Sequence, residues 1–191
     1  MLTVIIATHE SERALVQTLA PLVSGATAGL ITEVIVADAG STDSTAEIAD
    51  IAGCRYLVVD AAVGGRLKRA AAEARTPWLM FLRPGTVPEP GWVEAVERFV
   101  GGGTEAERAA VFRRRVDDFA EPGLAAALAA LRAALFGSRP SPEQGLLITR
   151  RLYDRLGGHT AGGDAEAALL KRLGRRRIAL LAAGARAPQH T

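Results

Sequence analysis

Asp38 closes the apolar, β-branched run Val34-Ile35-Val36-Ala37 and precedes a turn of small polar residues, Ala39-Gly40-Ser41-Thr42-Asp43. That composition predicts a buried strand running into a loop. A carboxylate at the carboxyl end of such a strand stands where open α/β sheets take their ligands, in front of helix N-termini. Gly40 admits a backbone conformation that a side chain resists, and Ser41, Thr42 and Asp43 can hydrogen-bond the turn. Thr8-His9-Glu10-Ser11 ends an earlier apolar run in the same way, so its polar groups belong to the same edge. Arg66, Lys68 and Arg69 crowd the first turn of an alanine-rich helix, against the helix dipole, which is a pattern an anion site can produce. An ordinary strand-turn-helix corner and a solvated basic face are the competing readings of these two features.

Regular elements must hold these residues in place. Leu2 to Ala7 reads as a buried strand and is followed by a helix from about Glu12, which Pro21 should bend or end near Ala20. The loop Gly25 to Gly29 leads to the strand ending at Asp38, and a right-handed crossover makes the two strands parallel. Ser44-Thr45-Ala46-Glu47 has the form of a capping box for a helix from Thr45 to Ala52, stopped by Gly53. A third strand covers Arg55 to Asp60, Gly64-Gly65 leads into the helix Arg66 to Ala74, and Trp78 to Leu82 is the most apolar strand. Further on, a helix begins around Pro88 to Trp92, a strand spans Ala109 to Val116, and Gly145 to Ile148 forms a short strand. Asp164 can cap a last helix reaching Leu173, and a final strand, Ile178 to Leu181, gives way to a fraying tail.

Composition narrows the functional classes. The 191 residues suit one domain with a real core. A net charge of +2 gives no argument for nucleic acid, while a pI of 9.1 suits anionic ligands. Cys54 is the single cysteine, which excludes an intrachain disulfide and a cysteine metal site, and it reads as a core residue. No apolar window is long enough to span a membrane, and the chain opens on a strand with no leader pattern, so a cytoplasmic protein is expected. Leu124, Leu128, Leu131 and Leu135 fall at helical spacing and suggest core, a homodimer contact or a peripheral membrane contact.

In this order, Val4-Ile5-Ile6-Ala7-Thr8-His9-Glu10, Val34 to Asp43, Gly65 to Arg69, Trp78 to Leu82, Pro88 to Trp92, Pro142 to Leu146 and Leu156-Gly157-Gly158 resemble family 2 glycosyltransferases, in particular the small bacterial subgroup. The resemblance implies an α/β, Rossmann-like GT-A fold, a single domain over 1–191 with a mostly parallel central sheet flanked by helices. Within it, 1–100 would bind the nucleotide and 101–191 the acceptor. It also implies sugar transfer from a nucleoside-diphosphate sugar to an acceptor that the sequence does not specify. Thr8, His9, Glu10, Asp38, Gly40, Ser41, Arg66 and Arg69 become donor-binding candidates, with Asp38 suited to accept from a base N–H or ribose hydroxyl. Asp164 matches imperfectly the family's general base, and a plain N-cap is its alternative role. His159, after Gly157-Gly158, falls where the family has an aromatic residue near the acceptor, although an exposed loop is expected.

One departure stands out. Directly after the strand ending Phe81-Leu82, the family places two aspartates that hold Mg2+ or Mn2+, whereas this chain has Arg83-Pro84-Gly85. The expectation is therefore that the metal site is absent and no cofactor is used. Arg83 would then act catalytically on the diphosphate. Alternatively, the chain is an inactive nucleotide-sugar-binding or scaffold protein of the same fold. A nucleotidyltransferase fits less well, because Gly64-Gly65 lies too late in the chain for the N-terminal glycine loop of those enzymes.

Overall fold

A computed structural model describes residues 1–102, 107–114, 140–162 and 164–187. In chain order the elements are β1 (Leu2–Thr8), α1 (Glu12–Thr27), β2 (Ile31–Asp38), α2 (Thr45–Ile51), β3 (Arg55–Val58), α3 (Val63–Glu73) and β4 (Trp78–Leu82). They continue with β5 (Val87–Pro88), α4 (Trp92–Gly101), β6 (Ala109–Arg114), β7 (Leu146–Thr149), α5 (Arg150–Arg155), α6 (Ala165–Leu173) and β8 (Ile178–Arg186).

The strands form one sheet in the order β3-β2-β1-β4-β7-β6-β8-β5. The first four are parallel, β7 is antiparallel to both its neighbours, and β6 and β8 are parallel. Alternation along the buried strands feeds two cores. Val4, Ile6, Met80 and Leu82 meet Leu15 and Leu22 of α1 and Trp92 and Val96 of α4 on one face. Ile5, Leu79 and Phe81 meet Leu67 of α3, Leu152 and Tyr153 of α5 and Leu169 of α6 on the other. Cys54 packs at the border of the first core, and burial pushes its thiol up to about 11.

Several sequence expectations are corrected. α1 runs through Pro21 to Thr27 without ending at Ala20, and Gly25 lies in the helix beneath the Trp92 ring. The Pro21 carbonyl accepts from Trp92 Nε1 at 3.1 Å and from Ser24 Oγ at 2.9 Å, so tertiary packing overrides the local break. Gly64 and Gly65 belong to α3 itself. β8 continues to Arg186 because β6 and β5 pair with its second half. The leucine stripe from Leu124 to Leu135 lies outside the described residues. Among those residues, no helix is long and apolar enough to cross a membrane.

Candidate functional site

Register places the strand ends together. Thr8 pairs with Asp38, Asp38 with Val58, and Ile6 with Leu82, so β1 to β4 end at one edge. There Asp38 is fully buried and saturated with donors. Its Oδ1 accepts from Thr8 Oγ1 at 2.6 Å and Ser41 Oγ at 2.7 Å, and its Oδ2 from the N–H groups of Gly40 at 2.7 Å and Ser41 at 2.5 Å. Burial alone would raise its pKa, but the Ser41 N–H, Thr8, the Ser41 hydroxyl and Tyr56 hold the carboxyl down to about 2. Asp38 thus spends its acceptor capacity shaping the loop, which Gly40 enters with a φ of 92°.

That loop is zipped to the β1–α1 loop. Glu10 N donates to Ser41 Oγ at 2.8 Å, and Thr42 N donates to Glu10 Oε1 at 2.7 Å. Glu12 N donates to Asp43 Oδ2 at 3.0 Å, while Ser44 N reaches Glu12 Oε2 at 3.3 Å and Ser11 N reaches Thr45 Oγ1 at 3.0 Å. The predicted capping box does not form, because Ser44 makes no side-chain cap bond and Asp43 Oδ1 takes Thr45 N instead. The hydrogen bond from the Thr45 hydroxyl lowers the Asp43 pKa more than desolvation raises it, and the N–H groups of Glu12 and Thr45 lower it further. Glu10 sits at a φ of 48° and is exposed on the rim beside exposed His9.

A second cluster lies at the end of β4. Arg83 donates from Nε at 2.8 Å and Nη2 at 2.6 Å to a single oxygen, Oε2 of Glu166, in the first turn of α6. This bond, more than any other effect, raises the Arg83 pKa. Gly85 ties the following turn to α1 by donating to Ala14 O at 3.0 Å and Thr18 Oγ1 at 2.8 Å. Glu166 and His159 share a small cavity with Phe81, Pro142, Gly145, Leu146 and Leu170. His159 is 1% exposed, which corrects the expected exposed loop. Its Nδ1 lies 2.9 Å from Tyr153 Oη, its ring stands edge-on to Phe81, and burial, aided by the Arg172 charge, drives its pKa down to about 4.

The other candidates separate. Arg66 is half-buried in the first turns of α3 and donates from Nη1 to Ala61 O at 3.1 Å. Asp164 is exposed at the start of α6 and makes no cap bond through its side chain. Arg69 is not brought to the site: it pairs with Glu73 at 2.7 Å, which also holds Arg55 at the opposite end of β3. Sequence reasoning missed Glu166, two residues beyond Asp164, and the Tyr56 hydrogen bond to Asp38. The available signal for Glu166 was an acid one helical step into a helix already expected to carry a site residue.

An α/β sheet whose loops, carboxylates and arginines gather at its carboxyl edge defines a ligand-binding protein of the Rossmann-like class. Residues 3–122 match the model of glycosyl transferase family 2, and the chain belongs to that family. Similar solved structures include glucosyl-3-phosphoglycerate synthase from Mycobacterium tuberculosis with Mn2+, UDP and glucosyl-3-phosphoglycerate, at 25% identity and TM-score 0.69, covering 100% of this chain and 73% of that one. The same enzyme with Mn2+ and UDP-glucose matches at 26% identity and TM-score 0.68, with 100% and 72% coverage. Its complex with Mg2+ and UDP matches at 25% identity and TM-score 0.69, again with 100% and 72% coverage. No curated protein matches the chain.

The neighbours overturn the expectation that no cofactor takes part, since their structures hold Mn2+ or Mg2+ together with UDP or UDP-glucose. In this chain no group of three His, Cys, Asp or Glu side chains among the described residues is arranged to hold a cation. The donor set is therefore not that of a protein-built cage.

Proposed function

We propose that this chain transfers a sugar from a nucleoside-diphosphate sugar to an acceptor hydroxyl. The anomeric carbon's bond to the diphosphate oxygen breaks, a bond to the acceptor oxygen forms, the hydroxyl proton passes to a carboxylate, and the nucleoside diphosphate leaves. In this reading 1–100 bind the nucleotide and 101–191 the acceptor. Thr8, His9, Glu10, Gly40 and Ser41 line the nucleoside rim, which Asp38 holds in shape, and Arg66 is the donor-binding cation on α3. Arg83 lies between the two halves, and Asp164 is the carboxylate nearest in role to the acceptor's base.

One observation carries this reading: the zipped loops at Asp38 sit at the carboxyl edge of a fold that matches, over the whole chain, an enzyme solved with UDP-glucose. A divalent cation accompanies the nucleotide here as in those neighbours, where it would supply charge neutralisation at the diphosphate. The described residues do not by themselves form a cage for it. UDP-glucose is the first donor to test and a small phosphorylated hydroxy acid the first acceptor. Calorimetric titration with UDP, GDP and their sugars, with Mn2+ present and absent, is expected to give binding that metal strengthens. No binding of any nucleotide would end the proposal.

A second reading is binding without transfer. It is favoured by the engagement of Arg83 with Glu166 at the end of β4, where the family resemblance calls for free carboxylates. Release of UDP from UDP-glucose over hours of incubation separates the two.

A further inference from the structure

We propose that the edge of the sheet opposite the candidate site is a docking surface for an anionic phospholipid bilayer. The start of β6, the end of β7 and the start of β8 lie side by side there, since Ala109 pairs with both Ile148 and Ile178. This register gathers exposed Arg108, Arg151, Arg155, Arg176 and Arg177. Among the described residues, the carboxylates of the cluster are Glu107 and Asp154, and Glu107 is taken by Arg155. The Arg155 hydrogen bond, followed by the charges of Arg155, Arg177 and Arg151, lowers the Glu107 pKa. Arg150 is excluded from the cluster, because it turns inward to the carbonyls of Ala71, Ala74 and Thr76.

Charge is segregated along the strand direction. The chain's net charge is +2, so an edge with this excess of arginine leaves the remainder net negative. At the other end, around the candidate site, Glu10, Glu12, Asp38, Asp43, Asp164 and Glu166 outnumber Arg66 and Arg83. A planar anionic surface attracts the basic edge, repels the acidic one and so orients the molecule with its site toward water. Among the described residues, the exposed large apolar side chains include no aromatic on which a nucleobase could stack, whereas Leu180, 52% exposed, follows Arg177 on β8. Both features favour lipid headgroups over single-stranded nucleic acid.

Co-sedimentation of the full chain with phosphatidylcholine vesicles, with and without phosphatidylglycerol, tests this at low and high salt. Binding is expected only with phosphatidylglycerol and is expected to be lost at high salt. Replacing Arg176 and Arg177 by alanine should lower the partition coefficient roughly 25-fold, at about fivefold per arginine. Arg13→Ala, at an exposed position of α1, should leave it unchanged. Arg108→Ala provides an independent reading should the double variant fold poorly. Equal binding to neutral vesicles, insensitivity to both sets of edge substitutions, or tighter binding to an oligonucleotide than to the vesicles would overturn the proposal.

Discussion

Glu12 and Asp43 cap each other's helices. Asp43 Oδ2 accepts the Glu12 N–H at 3.0 Å at the start of α1, and Glu12 Oε2 accepts the Ser44 N–H at 3.3 Å at the start of α2. Each carboxylate satisfies a donor that its neighbour's helix cannot satisfy internally. The exchange fixes the spacing of two loops that chain connectivity alone would leave independent.

Asp43→Ala removes the acceptor for both Glu12 N and Thr45 N. The melting temperature should fall, and nucleotide affinity should fall with it, because the rim would lose its register. Asp43→Asn, which keeps an acceptor oxygen, should recover part of both. Calorimetry and titration read the two effects, and an alanine variant with unaltered affinity would separate the caps from the site.

Acid should destabilise the fold in two stages of the same sign. His159 has a folded pKa of about 4 against 6.5, so the unfolded chain binds the extra proton first. Stability is full above pH 6.5 and declines toward pH 4, by an amount on the order of 3 kcal/mol. Asp38, lowered to about 2 from 3.8, adds a second decline across that lower range. Urea denaturation at stepped pH should show the upper decline in the parent and its removal in His159→Phe. A parent whose stability is level between pH 6.5 and 4 would contradict the buried neutral imidazole.

The first half of the fold was legible because its strands are short apolar runs, β-branched or aromatic, separated by strong turn signals. Val34 to Asp38 and Trp78 to Leu82 can hardly be read otherwise. Pro21 misled because a helix break is a local rule, and Trp92, far along the chain, supplied the contact that overrode it. The end of β8 was illegible for a related reason: a run of alanines and glycine has little strand propensity, and only pairing with β5 and β6 makes it a strand. At the site, Asp38 could be found from its place after a strand. Its saturation by Thr8, Gly40, Ser41 and Tyr56 could not, because those donors converge from separate segments. The burial of His159 depended likewise on Phe81 and Tyr153.

Gly64 is where α3 touches the approach to α6, and a Cβ there would overlap the Thr160 carbonyl oxygen and the Ala165 Cβ. Gly64→Ala should cost about 1–3 kcal/mol through overpacking, despite alanine's better helix propensity. Arg66 and Glu166 lie on the two helices so displaced, so donor affinity should drop as well. A variant as stable as the parent would show that the two helices yield to the extra methyl group.

Arg83 and Glu166 join the end of β4 to the first turn of α6 through one carboxylate oxygen, with the side chains 39% and 14% exposed. The more buried partner decides the energetics. Arg83→Ala strands a largely buried carboxylate, whereas Glu166→Ala leaves a guanidinium that water can reach. The first substitution should therefore destabilise more than the second, and the double variant should recover part of the loss. The expected coupling is about 1 kcal/mol, discounted for the exposure of the arginine. Turnover on UDP-glucose should fall in Arg83→Ala while nucleoside binding at the Asp38 rim persists. Equal costs for the two single substitutions, with no coupling in the cycle, would mean that the pair is an incidental surface contact and that α6 is held in place by Leu169 and Leu173 alone.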